Sequence, residues 1–163
     1  IHRLGIAQVF SESLKVQPPS AVKDVLSILF DDLSEEVRSE ASSCFRGLND
    51  ENIGSYTDLI ENFIHSPAFK GNARHVMYPL DKIENLPEIT LNVCEEFFES
   101  AGTKASDIRT ETSATASRVV NITFKLYSQS KESDLKIRCL DLIDKMLIYD
   151  YLRVQDKLFN YER

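Results

Sequence analysis

Glycine and proline are scarce in this chain, five of each in 163 residues, and the glycines stand singly. Neither G-x-x-x-x-G-K-[ST] nor G-x-G-x-x-G can be written anywhere, which excludes the glycine-rich loops that cradle nucleotide phosphates within this segment. Cysteine is scarce as well. Cys44, Cys94 and Cys139 are odd in number and far apart, so they outline neither a disulfide framework nor a zinc knuckle. Each lies among apolar residues and reads as a small buried hydrophobe in a reducing compartment. His2, His65 and His75 are too separated for an H-E-x-x-H site, and none has a cysteine or second histidine at ligand spacing. No apolar run approaches the roughly 20 residues a membrane span needs; the longest, Val25 to Phe30, is interrupted by Ser27. No secretory leader is legible. These absences point to a cytoplasmic protein with no cofactor or metal in this segment and no membrane partner.

Positive charge is also in deficit. The 19 Lys and Arg against 26 Asp and Glu leave a net charge of -7, which repels a phosphate backbone unless basic residues gather on one face. The candidates for such a face are Lys70, Arg74 and His75 on one helix and Lys131, Lys136 and Arg138 on another, with acidic groups interleaved. Nucleic acid is not the expected partner.

What remains is 42% hydrophobic and 28% charged, the balance of an ordered helical protein. Apolar residues recur at helical spacing almost throughout. Leu4, Ala7, Val9, Phe10 and Leu14 mark a helix from Ile1 to about Val16, ending before Pro18-Pro19. A second helix is expected to be capped by Ser20. Its Val22, Val25, Leu26, Ile28, Leu29 and Phe30 cover more than one face, which predicts a neighbour on each side. Ser34 is the natural cap of a third, with Glu35 and Glu36 where the helix dipole favours negative charge and a stripe of Val37, Ala41, Cys44, Phe45 and Leu48. Ser55 and Asp58 read as a capping box before Leu59, Ile60, Phe63 and Ile64. The next helix carries Ala73, Val76, Met77, Leu80 and Ile83, with a kink or early end at Pro79. Pro87 suits the first turn of the helix that buries Ile89, Leu91, Val93, Cys94, Phe97 and Phe98.

The stretch 102–115 is polar and aperiodic, the expected loop or hinge. Val119 to Phe124 is the one β-prone run, yet its flanks continue the helical period, so it is read as helix. A helix from Asp134 to about Ile148 is apolar around much of its circumference and is expected to be central to the last repeat. A short cap helix from Leu152 to about Phe159 would close the array. Paired helices at a spacing near the 40-odd residues of HEAT and armadillo repeats predict an all-α fold, an α-solenoid of antiparallel hairpins, formed as one domain over 1–163 and cut from a larger protein.

Two groups of residues bear on function. Tyr127, Tyr149, Tyr151, Phe159 and Tyr161 lie near Arg153, Lys157 and Arg163, and tyrosine with arginine anchors many protein interfaces. Tyr149, Tyr151, Arg153, Lys157, Tyr161 and Arg163 are therefore the candidate partner-binding residues, although the same aromatics would also cap the core of the last repeat. The pairs Asp31-Asp32, Glu35-Glu36 and Glu95-Glu96 supply carboxylates, but adjacent helical residues point in different directions, so no catalytic residue is assigned.

The run Leu126-Tyr-Ser-Gln-Ser-Lys, the run Arg138-Cys-Leu-Asp-Leu-Ile-Asp-Lys-Met-Leu147 and the run Asp156-Lys-Leu-Phe-Asn-Tyr-Glu-Arg163 resemble the C-terminal helical-repeat tail of large bacterial P-loop ATPases of the STAND or NACHT type. The resemblance covers the last quarter of the chain. It implies a sensor or assembly region of a larger NTPase, in several such proteins one active in antiviral defence, with the ATPase motifs upstream of Ile1. The expected function is a non-catalytic scaffold that recognises another protein or another part of its own chain, with oligomers possible. The alternatives are a helical effector enzyme, a metal-dependent hydrolase or nuclease using Asp31, Asp32, Glu35 and Glu36, and a nucleic-acid-binding solenoid.

Overall fold

The computed structural model describes residues 2–16, 18–100 and 111–148. Among them the chain is helical throughout, without a strand. In order come α1 (His2–Phe10), α2 (Ser13–Val16), α3 (Pro19–Phe30), α4 (Glu35–Ser42), a 3-10 turn at Ser43–Gly47, a second at Ile53–Ser55, α5 (Thr57–Ile64), α6 (Phe69–Asn72), α7 (Arg74–Leu80), α8 (Pro87–Ser100), α9 (Glu111–Gln129) and α10 (Ser133–Ile148). The chain divides into two compact units, Ile1–Ile89 and Thr90–Arg163.

Several boundaries differ from the sequence reading, each for a local reason. The helix expected to run from Ile1 to Val16 breaks at Ser11–Glu12. There Ser11 Oγ donates to Gln8 O at 2.7 Å and Ser13 Oγ donates to Phe10 O, hydroxyls taking carbonyls that the next turn would use. Pro18 rather than Ser20 occupies the cap of α3, because Pro19 fits the first helical position, where no N–H is required. Ser34 holds the cap position of α4 but makes no side-chain cap bond; its own N–H instead donates to Asp32 Oδ1 at 2.8 Å. The capping box at Ser55 is not formed. Helix α5 starts at Thr57, and Asp58 pairs with Lys23 across 2.9 Å. Helix α9 begins at Glu111, inside the stretch expected as a loop, while 102–110 and the expected cap helix Leu152–Phe159 lie outside the described residues.

The first unit is organised around phenylalanine. Val37, Ala41, Cys44, Phe45 and Leu48 are buried as their spacing requires, although the helix tightens to 3-10 geometry at Ser43. Phe45 thereby reaches Phe30 of α3 and Phe63 of α5, with ring centroids 5.6 and 4.7 Å away, and Phe30 and Phe63 lie 5.0 Å apart. Phe69 meets Phe63 edge-on at 5.4 Å. Such offset and edge-to-face contacts add to the stabilisation from burying the rings. Around this cluster α1 packs on α3 and α4, α3 packs on α4 and α5, and both α2 and α7 pack on the Ser43–Gly47 turn. Gly47 permits the approach of α2, since a Cβ there would stand 3.1 Å from both Leu14 Cβ and Lys15 Cγ. Helix α3 has the flanking neighbours its apolar faces predict, α1, α4 and α5, although Ile28 on its outer face is 72% exposed.

In the second unit α9 and α10 pack together, burying Val119, Val120, Ile122 and Phe124 on one and Leu135, Cys139, Leu142, Ile143 and Met146 on the other. Val119 to Phe124 is helical, and Thr123 turns its hydroxyl back to Val119 O at 2.7 Å. Ile137 and Leu140 of α10 are exposed, so its apolar residues are not covered around the circumference as the expected central position would require. Arg138 ties α10 to α8 with a two-pronged bond to Glu95, at 3.2 and 2.6 Å, and a third to Asn92 at 2.7 Å. This planar fork-to-carboxylate geometry is one that lysine could not reproduce.

Truncating the centre of the phenylalanine cluster, Phe63→Ala, is expected to destabilise the first unit by about 3–5 kcal/mol in urea unfolding, whereas Leu33→Ala on the open surface changes stability by less than about 0.5 kcal/mol. Gly47→Ala is expected to cost about 1–3 kcal/mol in the same measurement, through overpacking against Leu14 and Lys15.

Candidate functional site

The six candidate partner-binding residues, Tyr149, Tyr151, Arg153, Lys157, Tyr161 and Arg163, lie outside the described residues. The acidic candidates are dispersed in their roles. Asp32 is engaged by Arg3 at 3.2 Å and by the Ser34 N–H, while Arg38 holds the Asp32 and Leu33 carbonyls at 2.7 and 3.2 Å. Asp31, Glu35 and Glu36 are exposed, the latter two on the shallow, open surface beside Ser34, Ser39 and Glu40. Among the described residues no group of three or more His, Cys, Asp or Glu is placed to hold a metal ion. The three cysteines are buried, and burial pushes the Cys44 thiol far above its ordinary range.

Neither basic group forms a continuous face. His75 is buried, Arg74 donates to Gly71 O at 2.8 Å, and Lys70 lies on a turn broken by the positive φ of 90° at Gly71. Lys136 sits over the Tyr127 ring at 5.4 Å and Arg138 is bound to Glu95 and Asn92, so of the second group Lys131 alone is both exposed and unassigned to a partner by these contacts.

A concave site nevertheless forms where two loops of the first unit meet. Residues 48–52 fold on reciprocal asparagine bonds: Asn49 Oδ1 accepts from the Glu51 and Asn52 amides at 2.9 and 3.0 Å, and Asn52 Oδ1 accepts from the Asn49 amide at 2.9 Å. Asn52 Nδ2 anchors the loop to Gly47 O at 2.9 Å. Opposite, α7 ends one residue after Pro79, as the sequence predicts, and the chain turns with the Lys82 and Ile83 amides donating to Pro79 O. Asp50 joins the two loops. Its Oδ1 accepts from the Glu84 and Asn85 amides at 2.9 and 3.0 Å, and Asn85 Nδ2 donates to its carbonyl at 3.0 Å. The connection then passes through Leu86 at φ 55°, a left-handed conformation unusual outside glycine, before Pro87 starts α8.

Between these loops lies a cleft of about 350 Å³. Leu48, Pro79, Ile83 and the half-exposed Tyr78 give it apolar walls, and Arg46, Asn49, Asp50 and Lys82 give it polar groups. Lys82 Nζ stands 4.5 Å from the Tyr78 ring centroid and 3.3 Å from its hydroxyl oxygen. The Arg46 guanidinium makes no hydrogen bond or ion pair with any described residue, though, after Lys15, its charge helps lower the Glu12 pKa. Within α7, His75 lies one turn before Tyr78 and Pro79; it is buried, and it too has no hydrogen-bond partner among the described residues. Burial first, then the Arg74 and Arg46 guanidiniums, lower its pKa to about 4. The ring is thus neutral at pH 7, and the positive charge at the cleft comes from Arg46 and Lys82.

Sequence reasoning passed over this cleft because no spacing rule brings residues 46–50 and 78–83 together. The legible signals were the turn-forming run Asn49-Asp50-Glu51-Asn52 and Pro79 inside a helix, which mark two chain reversals without showing that they adjoin.

The unfolded chain protonates His75 near pH 6.5 and the folded chain only near 4, so the unfolded state binds the extra proton between those values. The stability contributed by the neutral ring is complete above about pH 6.5 and is lost as pH falls toward 4, by up to ~3 kcal/mol. Urea midpoints measured from pH 7 to pH 4 should fall more steeply for the native chain than for His75→Leu.

No protein-family model matches the chain, and comparison with curated proteins and with solved structures returns no significant match.

Proposed function

We propose that this chain is a helical-repeat segment that recognises another protein, or another part of its own chain, without chemistry of its own. The observation that carries the reading is the pairing of helices in the first unit. Helix α3 lies beside α5, and α1 lies beside α4, whose 3-10 extension in turn receives α7, while α3 and α4 pack on each other. These contacts support the reading as a HEAT-like solenoid, in which like-placed helices line up in two rows, each pair contacts its neighbours and the surfaces between loops are free for binding. The place of such a segment in a cytoplasmic STAND-type NTPase of antiviral defence rests on the resemblance of α10 and the residues after it. No helix among the described residues is long and apolar enough to cross a membrane.

Two measurements test the reading together. Cross-linking mass spectrometry from exposed lysines of the chain in its native cell is expected to join it to one discrete protein or to a defined region of its own chain. Incubation of the chain with ATP, p-nitrophenyl phosphate and p-nitrophenyl acetate is expected to give hydrolysis at the buffer rate, with or without magnesium or manganese. Turnover removed by Glu35→Gln or Glu36→Gln, both surface substitutions, would establish the effector-enzyme alternative instead.

A further inference from the structure

Resting on the recognition reading, we propose that the cleft between residues 46–50 and the end of α7 binds an acidic peptide segment of a partner protein. Arg46 and Lys82 hold a carboxylate side chain of that segment, and a neighbouring apolar side chain enters against Leu48, Pro79 and Ile83.

Charge complementarity chooses the occupant. The chain carries a net charge of -7, yet the cleft presents two cations and one carboxylate. That carboxylate, Asp50, already accepts two backbone amides in joining the loops. Several cations elsewhere are matched by carboxylates: Arg3 with Asp32, Lys23 with Asp58, Arg138 with Glu95 and Lys145 with Asp141. The Arg46 guanidinium makes no ion pair with a described residue and acts on Glu12 only as the smallest of the causes lowering its pKa, while Lys82 meets the neutral ring and hydroxyl of Tyr78. A guanidinium offers five donors in a fork suited to a carboxylate, and an ammonium held over an aromatic ring keeps donors for a second oxygen.

Size and lining narrow the choice further. A volume of about 350 Å³ is near the lower end for ligand sites, enough for two side chains of a peptide and too small to seat a helix. Apolar walls beside the cations favour a carboxylate flanked by a hydrophobic residue over a bare anion. A nucleic acid would need a track of cations along its phosphates, which two residues on an acidic chain do not provide. The loops are pinned to each other by Asp50, so the site exists before binding and little ordering opposes it.

The test is an amide-resolved NMR titration of the whole chain with an acetylated, amidated hexapeptide of alternating glutamate and leucine. The expected result is saturable shift changes at residues 46–49 and 78–83. Affinity is expected to fall about tenfold in Arg46→Glu and in Lys82→Glu, and severalfold between about 0.05 and 0.5 M NaCl. A lysine–leucine hexapeptide and a thymidine oligonucleotide are expected to leave the cleft unshifted. Both substituted residues are exposed, and an unchanged amide spectrum outside the cleft verifies the fold of each variant. The proposal is overturned by an acidic peptide that shifts other faces while the cleft stays silent, by binding indifferent to both charge reversals, by no saturable binding, or by the oligonucleotide occupying the cleft. In any of these cases a discrete cross-linked partner would leave the recognition reading standing, whereas substrate turnover would remove that reading itself.

Discussion

Four phenylalanine rings from four separate elements form a continuous chain of contacts, Phe30, Phe45 and Phe63 meeting one another and Phe69 meeting Phe63, each pair within 5.6 Å, and the first unit is arranged around them. Helices as short as α4 and α5, eight residues each, would not persist alone in water. Their stability comes from the apolar stripes they bury, and Phe45 can join α3 to α5 only because the backbone tightens to a 3-10 turn after Ser42. The same turn receives α2 over Gly47 and also packs against α7. Packing, in this unit, decides local geometry.

That geometry fixes the cleft. The 3-10 turn delivers Arg46 and Leu48 to one wall, and Pro79 stops α7 where Tyr78 and Lys82 form the other. Asp50 then bonds across the gap. A surface made by two loops is ordinarily loose, but here a carboxylate satisfies two amides of the opposite loop and an asparagine returns the bond to its carbonyl. The cations at the rim, Arg46 and Lys82, make no ion pair with a described residue, and Lys82 rests on the Tyr78 ring.

The sequence made the helical class and most buried positions readable because the apolar spacing in α4, α5, α7 and α8 is regular and each stripe is buried. Caps were read less well. Ser20, Ser34 and Ser55 carry the right side chain, yet Pro19, the Asp32 carboxylate and the Asp58–Lys23 pair supplied the local solution instead. Apolar residues on several faces of a helix were taken to require cover on several sides, but Ile28, Ile137 and Leu140 remain exposed. The cleft was not legible at all, since the juxtaposition of 46–50 with 78–83 is a tertiary fact held by one aspartate. The C-terminal tyrosines and arginines that the sequence favoured lie outside the described residues, and the solenoid itself remains a proposal argued from helix pairing.

The central claim is that the aromatic core and the Asp50 bridge together preform a rigid cleft, and native-state hydrogen exchange across residues 2–89 measures this most directly. The account predicts that the amides of Glu84 and Asn85, bonded to Asp50, and those of residues 45–48, Met77, Tyr78 and Leu80 exchange with protection rising and falling together with the amides of α3 and α5 as urea is added. Fast, urea-independent exchange at those loop amides beside a protected core would contradict it, showing a stable core whose cleft is not held in place.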